Sequence, residues 1–229
     1  MKAAVIVFPG SNCDRDAFVT LRKTPGVEPF MVWHKEADFD KADLIVLPGG
    51  FSFGDYLRCG AMAAQSPVMK EVVARAKSGV PTLGICNGFQ VLCEAGLLPG
   101  VVMRNATLKF VCRDVDLKVE NSQTLFTSKY EAGQVIRIPI AHHDGNYYIE
   151  AEGLEALKER DQIALRYVTP EGERSAEANP NGSLEDIAGI FNESKTILGL
   201  MPHPERLADA QLGGTDGQGI FSSLAEALA

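Results

Sequence analysis

Thr82-Leu83-Gly84-Ile85-Cys86-Asn87-Gly88-Phe89-Gln90 runs a short apolar strand straight into a cysteine and then into a helix. Glycine stands two residues before the cysteine and two after, the spacing of a nucleophile elbow in its cysteine form. A sharp strand-to-helix turn of this kind holds the nucleophile in a strained backbone conformation, and small neighbours let the chain double back without a clash. The sulfur then stands at the carboxyl end of the sheet, where open α/β folds bind their ligands. A cysteine in an arbitrary setting belongs to the core more often than to an active site. The flanking glycines and the strand–helix junction make Cys86 the candidate nucleophile instead. Cys13, Cys59, Cys93 and Cys112 have no such surroundings and read as structural.

Outward from this junction the same alternation repeats. Val5-Ile6-Val7 ends at Pro9-Gly10, and a helical stretch follows from about Asn12 to Lys23. Val27 to Trp33 reads as a second strand. Leu44 to Leu47 is a third, cut off by Pro48-Gly49-Gly50. A helix is expected from Ala61 to Lys77, a fourth strand from Val80 to Cys86 and a helix from Gly88 to Leu98. Short apolar runs between helices predict an α/β fold with a doubly wound, mostly parallel sheet covered on both faces. The pattern changes after Gly100. Leu108 to Val119, Val135 to Ile140, Tyr147 to Ile149, Ile163 to Val168 and Ile187 to Phe191 are separated by Gly, Asn and Pro turns and predict an added antiparallel region. Thr196 to Met201 is expected back in the main sheet, with a closing helix at Gly219 to Leu228. No repeat or linker interrupts residues 1–229, which read as one domain.

Composition bounds the function. Of 229 residues, 45% are hydrophobic and 23% charged, as in ordinary globular chains, and the formal net charge is -8. An acidic chain lacks the Lys and Arg excess that neutralises phosphates, so a nucleic-acid partner is not expected. No apolar stretch approaches the roughly 20 residues of a membrane helix, and the run Ala3 to Phe8 is too short for a signal segment. An odd number of cysteines with no CxxC points to reduced thiols and a cytoplasmic location.

A thiol that attacks a carbonyl group needs a base, an orienting acid and donors for the oxyanion. The histidines are His34, His142, His143 and His203. His203 lies in Leu200-Met201-Pro202-His203-Pro204-Glu205, after an apolar strand and between two prolines that restrict the backbone. Glu205, two residues on, is placed to accept a hydrogen bond from the imidazole and fix its tautomer. The chain order Cys, His, Glu differs from the nucleophile–acid–His order of α/β-hydrolases. The oxyanion donors are expected from the amide of Asn87 and from the loop Leu47 to Asp55, which lacks the Gly-Lys-Ser/Thr of a nucleotide-binding P-loop.

Gly84 to Gln90 together with Pro202 to Glu205 resembles the class I, triad-type glutamine amidotransferases. A narrower resemblance runs nearly end to end: Pro48 to Gly60, Arg104 to Arg113, Pro139 to His142 and Gly213 to Phe221 are similar to the glutaminase subunits of phosphoribosylformylglycinamidine synthase, an enzyme of purine biosynthesis. The resemblance implies that Cys86 attacks the side-chain amide of glutamine, that His203 shuttles the proton and that Glu205 orients it. Gly50 matches the oxyanion loop and Gln90 a position lining the glutamine pocket. His143, Asp144 and Gly145 match a loop that contacts glutamine through its backbone. The ammonia passes to a large synthetase subunit that binds ATP and Mg and converts formylglycinamide ribonucleotide to the amidine, with a small bridging subunit between the two. This chain itself is then expected to bind neither cofactor nor metal.

One departure stands out. His143 replaces a glycine of the family's loop, and Asp144 replaces a longer acid. Three neighbouring residues rarely converge on one ion, so His142-His143-Asp144 is not read as a metal site. Two other readings compete. A PfpI-type cysteine hydrolase or chaperone has a histidine directly after its cysteine, where this chain has Asn87. A non-catalytic assembly subunit would have lost its triad, and here all three residues are present.

Overall fold

The computed structural model describes residues Met1–Ala229. Its main sheet has nine strands. The first four are β1 (Lys2–Val7), β2 (Glu28–Trp33), β3 (Leu44–Leu47) and β4 (Thr82–Ile85), parallel in the order β2-β1-β3-β4. β3 and β4 are buried along their whole length, as expected where helices cover both faces of a parallel sheet. β2 is an edge strand that carries Pro29 and exposes Met31 and Trp33, which is where a residue lacking an N–H is tolerated.

β11 (Ile197–Leu200) returns to pair in parallel with β4. β10 (Ile187–Phe191), β9 (Ile163–Val168), β6 (Val111–Val119) and β7 (Val135–His142) then follow antiparallel. The predicted architecture is therefore present. β8 (Asn146–Tyr148) differs from expectation, because it leaves the main sheet and pairs with β5 (Val101–Met103) in a separate two-stranded sheet. β5 has only three residues, too few to show a period.

The helices are α1 (Asp14–Lys23), α2 (Ala61–Ala64), α3 (Pro67–Lys77), α4 (Asn87–Glu94), α5 (Ala151–Glu159) and α6 (Gln218–Ala227). The single helix expected from Ala61 to Lys77 is two. Pro67 begins α3, where its missing N–H costs nothing, and an unbroken helix would have put it in the interior. α5 was not foreseen; Gly153 in its first turn weakens the helical signal. One apolar core runs through the chain, and α4 is fixed in it by Phe89, fully buried and stacked on Tyr147 of β8 at 5.8 Å. The small sheet thus braces the helix that follows Cys86.

Candidate active site

Cys86 joins β4 to α4 with φ 51° and ψ -105°, a conformation that costs a β-carbon residue about 1–3 kcal/mol and persists only where surrounding contacts enforce it. Here those contacts are close. A Cβ on Gly84 would stand 2.8 Å from the Gly88 backbone, and one on Gly88 would stand 1.9 Å from the Leu47 carbonyl oxygen. The Cys86 amide donates to the Leu200 carbonyl of β11 at 2.7 Å. The elbow is therefore clamped between the two strands that flank β4.

β11 leads directly to His203, whose amide donates to the Pro139 carbonyl of β7 at 2.8 Å. Pro204–Arg206 then forms a single 3-10 turn, and Glu205 reaches the imidazole through it. The imidazole Nδ1 donates to Glu205 Oε1 at 2.6 Å, and Thr20 of α1 pins the Glu205 carbonyl at 3.0 Å. With Nδ1 committed, Nε2 is the remaining nitrogen, and it is buried without a partner. Burial alone disfavours an imidazolium, yet the Glu205 carboxylate, then Cys86, then Cys13 outweigh it and raise the His203 pKa well above its ordinary value.

The Cys13 side chain also lies here. Its sulfur stands within 4.8 Å of the His203 and Glu205 heteroatoms and accepts a hydrogen bond from Arg206 Nη2 at 2.9 Å. Local sequence marked Cys13 as structural, and the structure puts it against the imidazole.

The loop after β3 supplies the other wall. Gly50 has φ +130° and its α-carbon leaves no room for a side chain, since a Cβ would meet Ser11 and Asn12 at 2.7 Å. The amides of Gly50 and Asn87 donate to no group in the protein. The Asn87 side chain ties loop to helix: its Oδ1 accepts from the Ser52 amide at 3.2 Å, and its Nδ2 donates to Gln90 Oε1 at 2.8 Å. Gln90 Nε2 in turn donates to the Asp144 carbonyl at 2.6 Å.

The residues expected to meet glutamine are brought to one place but are not equivalent. Asp144 and His143 line a cavity of about 560 Å³, together with Asp55, Cys59 and Met103, among others. His143 Nδ1 pairs with Asp144 Oδ1 at 2.8 Å, and its Nε2 lies 3.2 Å from the Leu108 carbonyl. Gly145 is turned inward. Its amide donates to Asn105 Oδ1 at 2.9 Å, and a Cβ there would stand 2.3 Å from the His142 ring. Asn105, fully buried, also accepts from His142 Nδ1 at 3.1 Å and donates to the His142 carbonyl at 3.0 Å, so it organises the whole 142–145 loop. Nothing local in the sequence marked it. Burial, and then the positive charge at His203, pull His142 down to about 4, which leaves it a neutral imidazole. The Cys59 thiol donates to Asp144 Oδ2 at 3.2 Å, and burial followed by the Asp55 charge pushes its pKa far up, which keeps it a donor. Burial also raises Asp55, opposed by the Cys59 hydrogen bond and assisted by Asp144.

Comparison with known proteins places this geometry. A family model for the CobB/CobQ-like glutamine amidotransferase domain matches residues 1–213. The phosphoribosylformylglycinamidine synthase subunit PurQ of Ruegeria pomeroyi is 57% identical over 229 residues, covering 100% of this chain and 99% of that protein. The same subunit of Rhizobium etli is 53% identical, with 100% of both chains covered. Among solved structures, that of PurLQS from Thermotoga maritima superposes with a TM-score of 0.87 at 46% identity, over 100% of this chain and 99% of that one. A glutamine amidotransferase from Thermotoga maritima, 15% identical, shares the fold with a TM-score of 0.62 over 100% of this chain and 97% of that one. A domain model matched over most of the chain and relatives more than half identical along its length establish that the chain belongs to the CobB/CobQ-like glutamine amidotransferase family, within the PurQ branch.

Proposed function

We propose that Cys86, His203 and Glu205 are the catalytic triad of a glutaminase subunit that hydrolyses glutamine and hands the ammonia to a partner synthetase. The chain is a glutamine amidotransferase subunit of phosphoribosylformylglycinamidine synthase, working with the synthetase and bridging subunits of that enzyme. The observation that carries the triad assignment is the strained elbow at Cys86 beside an imidazole whose Nδ1 is held 2.6 Å from a buried carboxylate.

The steps follow from which atoms are free. The Cys86 thiol gives its proton to His203 Nε2, the nitrogen not taken by Glu205, and the sulfur attacks the side-chain carbonyl carbon of glutamine. The oxyanion of the tetrahedral intermediate is received by the amides of Gly50 and Asn87, which carry no other bond. The C–N bond breaks as His203 returns the proton to the leaving nitrogen, releasing ammonia and leaving a glutamyl thioester. A water gives its proton to His203 and adds to the thioester carbonyl. The C–S bond then breaks and the proton returns to sulfur. Glutamate leaves and Cys86 is restored. Gln90 and the Asp144 backbone, joined at one edge of the site, are assigned to the glutamine pocket with His143, while Gly145 supports the loop through Asn105.

The chain is assigned no nucleotide or metal of its own. The most compact thiol–imidazole–carboxylate group, Cys13, His203 and Glu205, already has its Nδ1 bonded to Glu205 and a guanidinium bonded to its sulfur, an unfavourable setting for a cation. ATP and Mg belong to the partner subunit in this reading. No helix is long and apolar enough to cross a membrane. A cytoplasmic location is proposed, and the free state of the five cysteines supports it.

The test measures glutamate formed from glutamine by the chain alone and by the complex with synthetase, ATP and acceptor nucleotide. Activity in the complex that is lost in Cys86→Ala is expected. No glutamate in any condition would remove the glutaminase assignment and favour a non-catalytic assembly role.

A further inference from the structure

The triad leaves one group beside it without a role. Cys13 caps the start of α1, is 2% exposed and stands against the His203–Glu205 pair. Behind it, Arg206 Nη2 donates to the Cys13 sulfur at 2.9 Å, while Arg206 Nε reaches Asp16 of α1 at 3.4 Å. Thr20, one to two turns further along α1, holds the Glu205 carbonyl. One helix therefore grips the His203-to-Arg206 turn at three points, and Cys13 is the point nearest the imidazole.

His203 must take up and release a proton during the reaction, so the placement of its ring is what the turn has to secure. Arg206, the last residue of the turn, is permanently charged, and its side chain is 34% exposed and paired with Asp16. The groups that face His203 are Glu205 on its own turn, Cys86 from the elbow, Cys13 from α1 and His142 from β7. Of these, Cys13 alone also bonds the guanidinium. The bond from Arg206 anchors the sulfur, and the anchored sulfur gives the ring a polarisable neighbour. Space is limited on the adjacent side, where a Cβ on Gly49 would stand 2.6 Å from the imidazole Cε1 and 3.4 Å from the Cys13 sulfur.

We propose that Cys13 is a positioning residue for the glutaminase reaction: its sulfur, anchored beside the ring by the Arg206 hydrogen bond, holds the His203 imidazole in line with Cys86. The inference rests on the glutaminase reading. Cys13 neither attacks glutamine nor touches it; its effect passes through His203. The Glu205 charge leads the influences that raise the His203 pKa, and Cys13 is among the lesser ones, which agrees with this role.

The experiment compares kcat, KM and the pH profile of kcat/KM for glutamine in the assembled enzyme, with wild-type chain and with Cys13→Ala, Cys13→Ser, Cys13→Val and Cys13→Ala/Arg206→Gln. The basic limb of the profile reports loss of the His203 proton. In Cys13→Ala, kcat is expected to fall about tenfold, the size of one hydrogen bond to a charged group. KM is expected to stay within about twofold, because no contact with glutamine is removed. The basic limb moves to lower pH, since the imidazolium loses the polarisable sulfur beside it. Cys13→Ser, which keeps an acceptor, restores most of the rate and the position of the limb. The double variant is expected to behave like Cys13→Ala in both kcat and the position of the limb, since both changes act through one anchoring bond.

Thermal unfolding and circular dichroism establish that each variant is folded. Should Cys13→Ala not fold, Cys13→Val fills the space without an acceptor and is expected to shift the limb in the same direction. A folded Cys13→Ala or Cys13→Val variant with an unmoved limb would show that Cys13 only fills space and would overturn the proposal. A wild-type complex that forms no glutamate would instead remove the glutaminase reading itself, so the two failures are distinct.

Discussion

Gly88 and Leu47 approach so closely that a Cβ on Gly88 would stand 1.9 Å from the Leu47 carbonyl oxygen and 2.6 Å from its carbonyl carbon. The contact presses the first turn of α4 onto the end of β3 and holds the elbow shut. Gly88→Ala must therefore move backbone against backbone, which no rotamer change relieves. A loss of about 3 kcal/mol or more is expected, read as a lower midpoint in urea, with glutaminase activity falling further than stability because Cys86 moves with the helix.

Glu205 is fully buried, and its charge is the leading influence that raises the His203 pKa against burial. Glu205→Gln keeps the shape and removes the charge. Glutaminase kcat in the complex is expected to fall by roughly 10²- to 10⁴-fold, as when the acid of a triad is neutralised. KM is expected to change little. A full-rate Glu205→Gln enzyme would assign the orientation of His203 to another group.

His142 titrates near 6.5 when unfolded and at about 4 in the fold, because burial and His203 oppose its charge. Between those values the unfolded chain binds a proton that the folded chain does not. Stability therefore falls as pH drops from about 6.5 to about 4, by up to about 3 kcal/mol from this group, and above about 6.5 it contributes nothing. Unfolding midpoints measured across that range in wild type and His142→Gln are expected to converge at the acid end.

Asn105 links the 105–109 turn to the 142–145 loop through its side chain, which bonds His142 Nδ1, the His142 carbonyl, the Gly145 amide and the Lys109 carbonyl. Asn105→Ala leaves several buried groups without partners, at about 1–3 kcal/mol for each one that stays unsatisfied. A lower melting temperature is expected, with a raised KM for glutamine as the loop carrying Asp144 loosens. An unchanged KM would separate that loop from the glutamine pocket.

His143 pairs with Asp144 on a half-exposed surface, where such pairs contribute about 0–1 kcal/mol. If the loop meets glutamine through its backbone, His143→Gly leaves KM within about twofold. A tenfold rise would assign the imidazole a direct contact with the substrate.

Much of the site was legible in the linear sequence because its parts are local. The elbow needs only a strand, a cysteine and glycines at fixed offsets, and β3, β4 and the start of α4 fall where those signals lie. His203 and Glu205 were found together because one tight turn contains both. The break at Pro67 was also written in the sequence, and reading through it reflects the pull of a long helical pattern over a single proline.

What the sequence by itself determined is the set of short-range geometries: which residue sits on the elbow, which carboxylate can reach which imidazole, and which apolar runs must be buried. Backbone sterics and side-chain period act over a few residues, and they leave a mark at that range. Only the tertiary structure decided that β11 inserts between β4 and β10, that β8 leaves the main sheet for β5, and that Cys13 and Arg206, 193 residues apart in the chain, meet beside His203. Those contacts follow from the burial of whole faces against one another. That is a property of the packed core rather than of any segment, and a cysteine in an unremarkable stretch carries no sign of the imidazole it will touch.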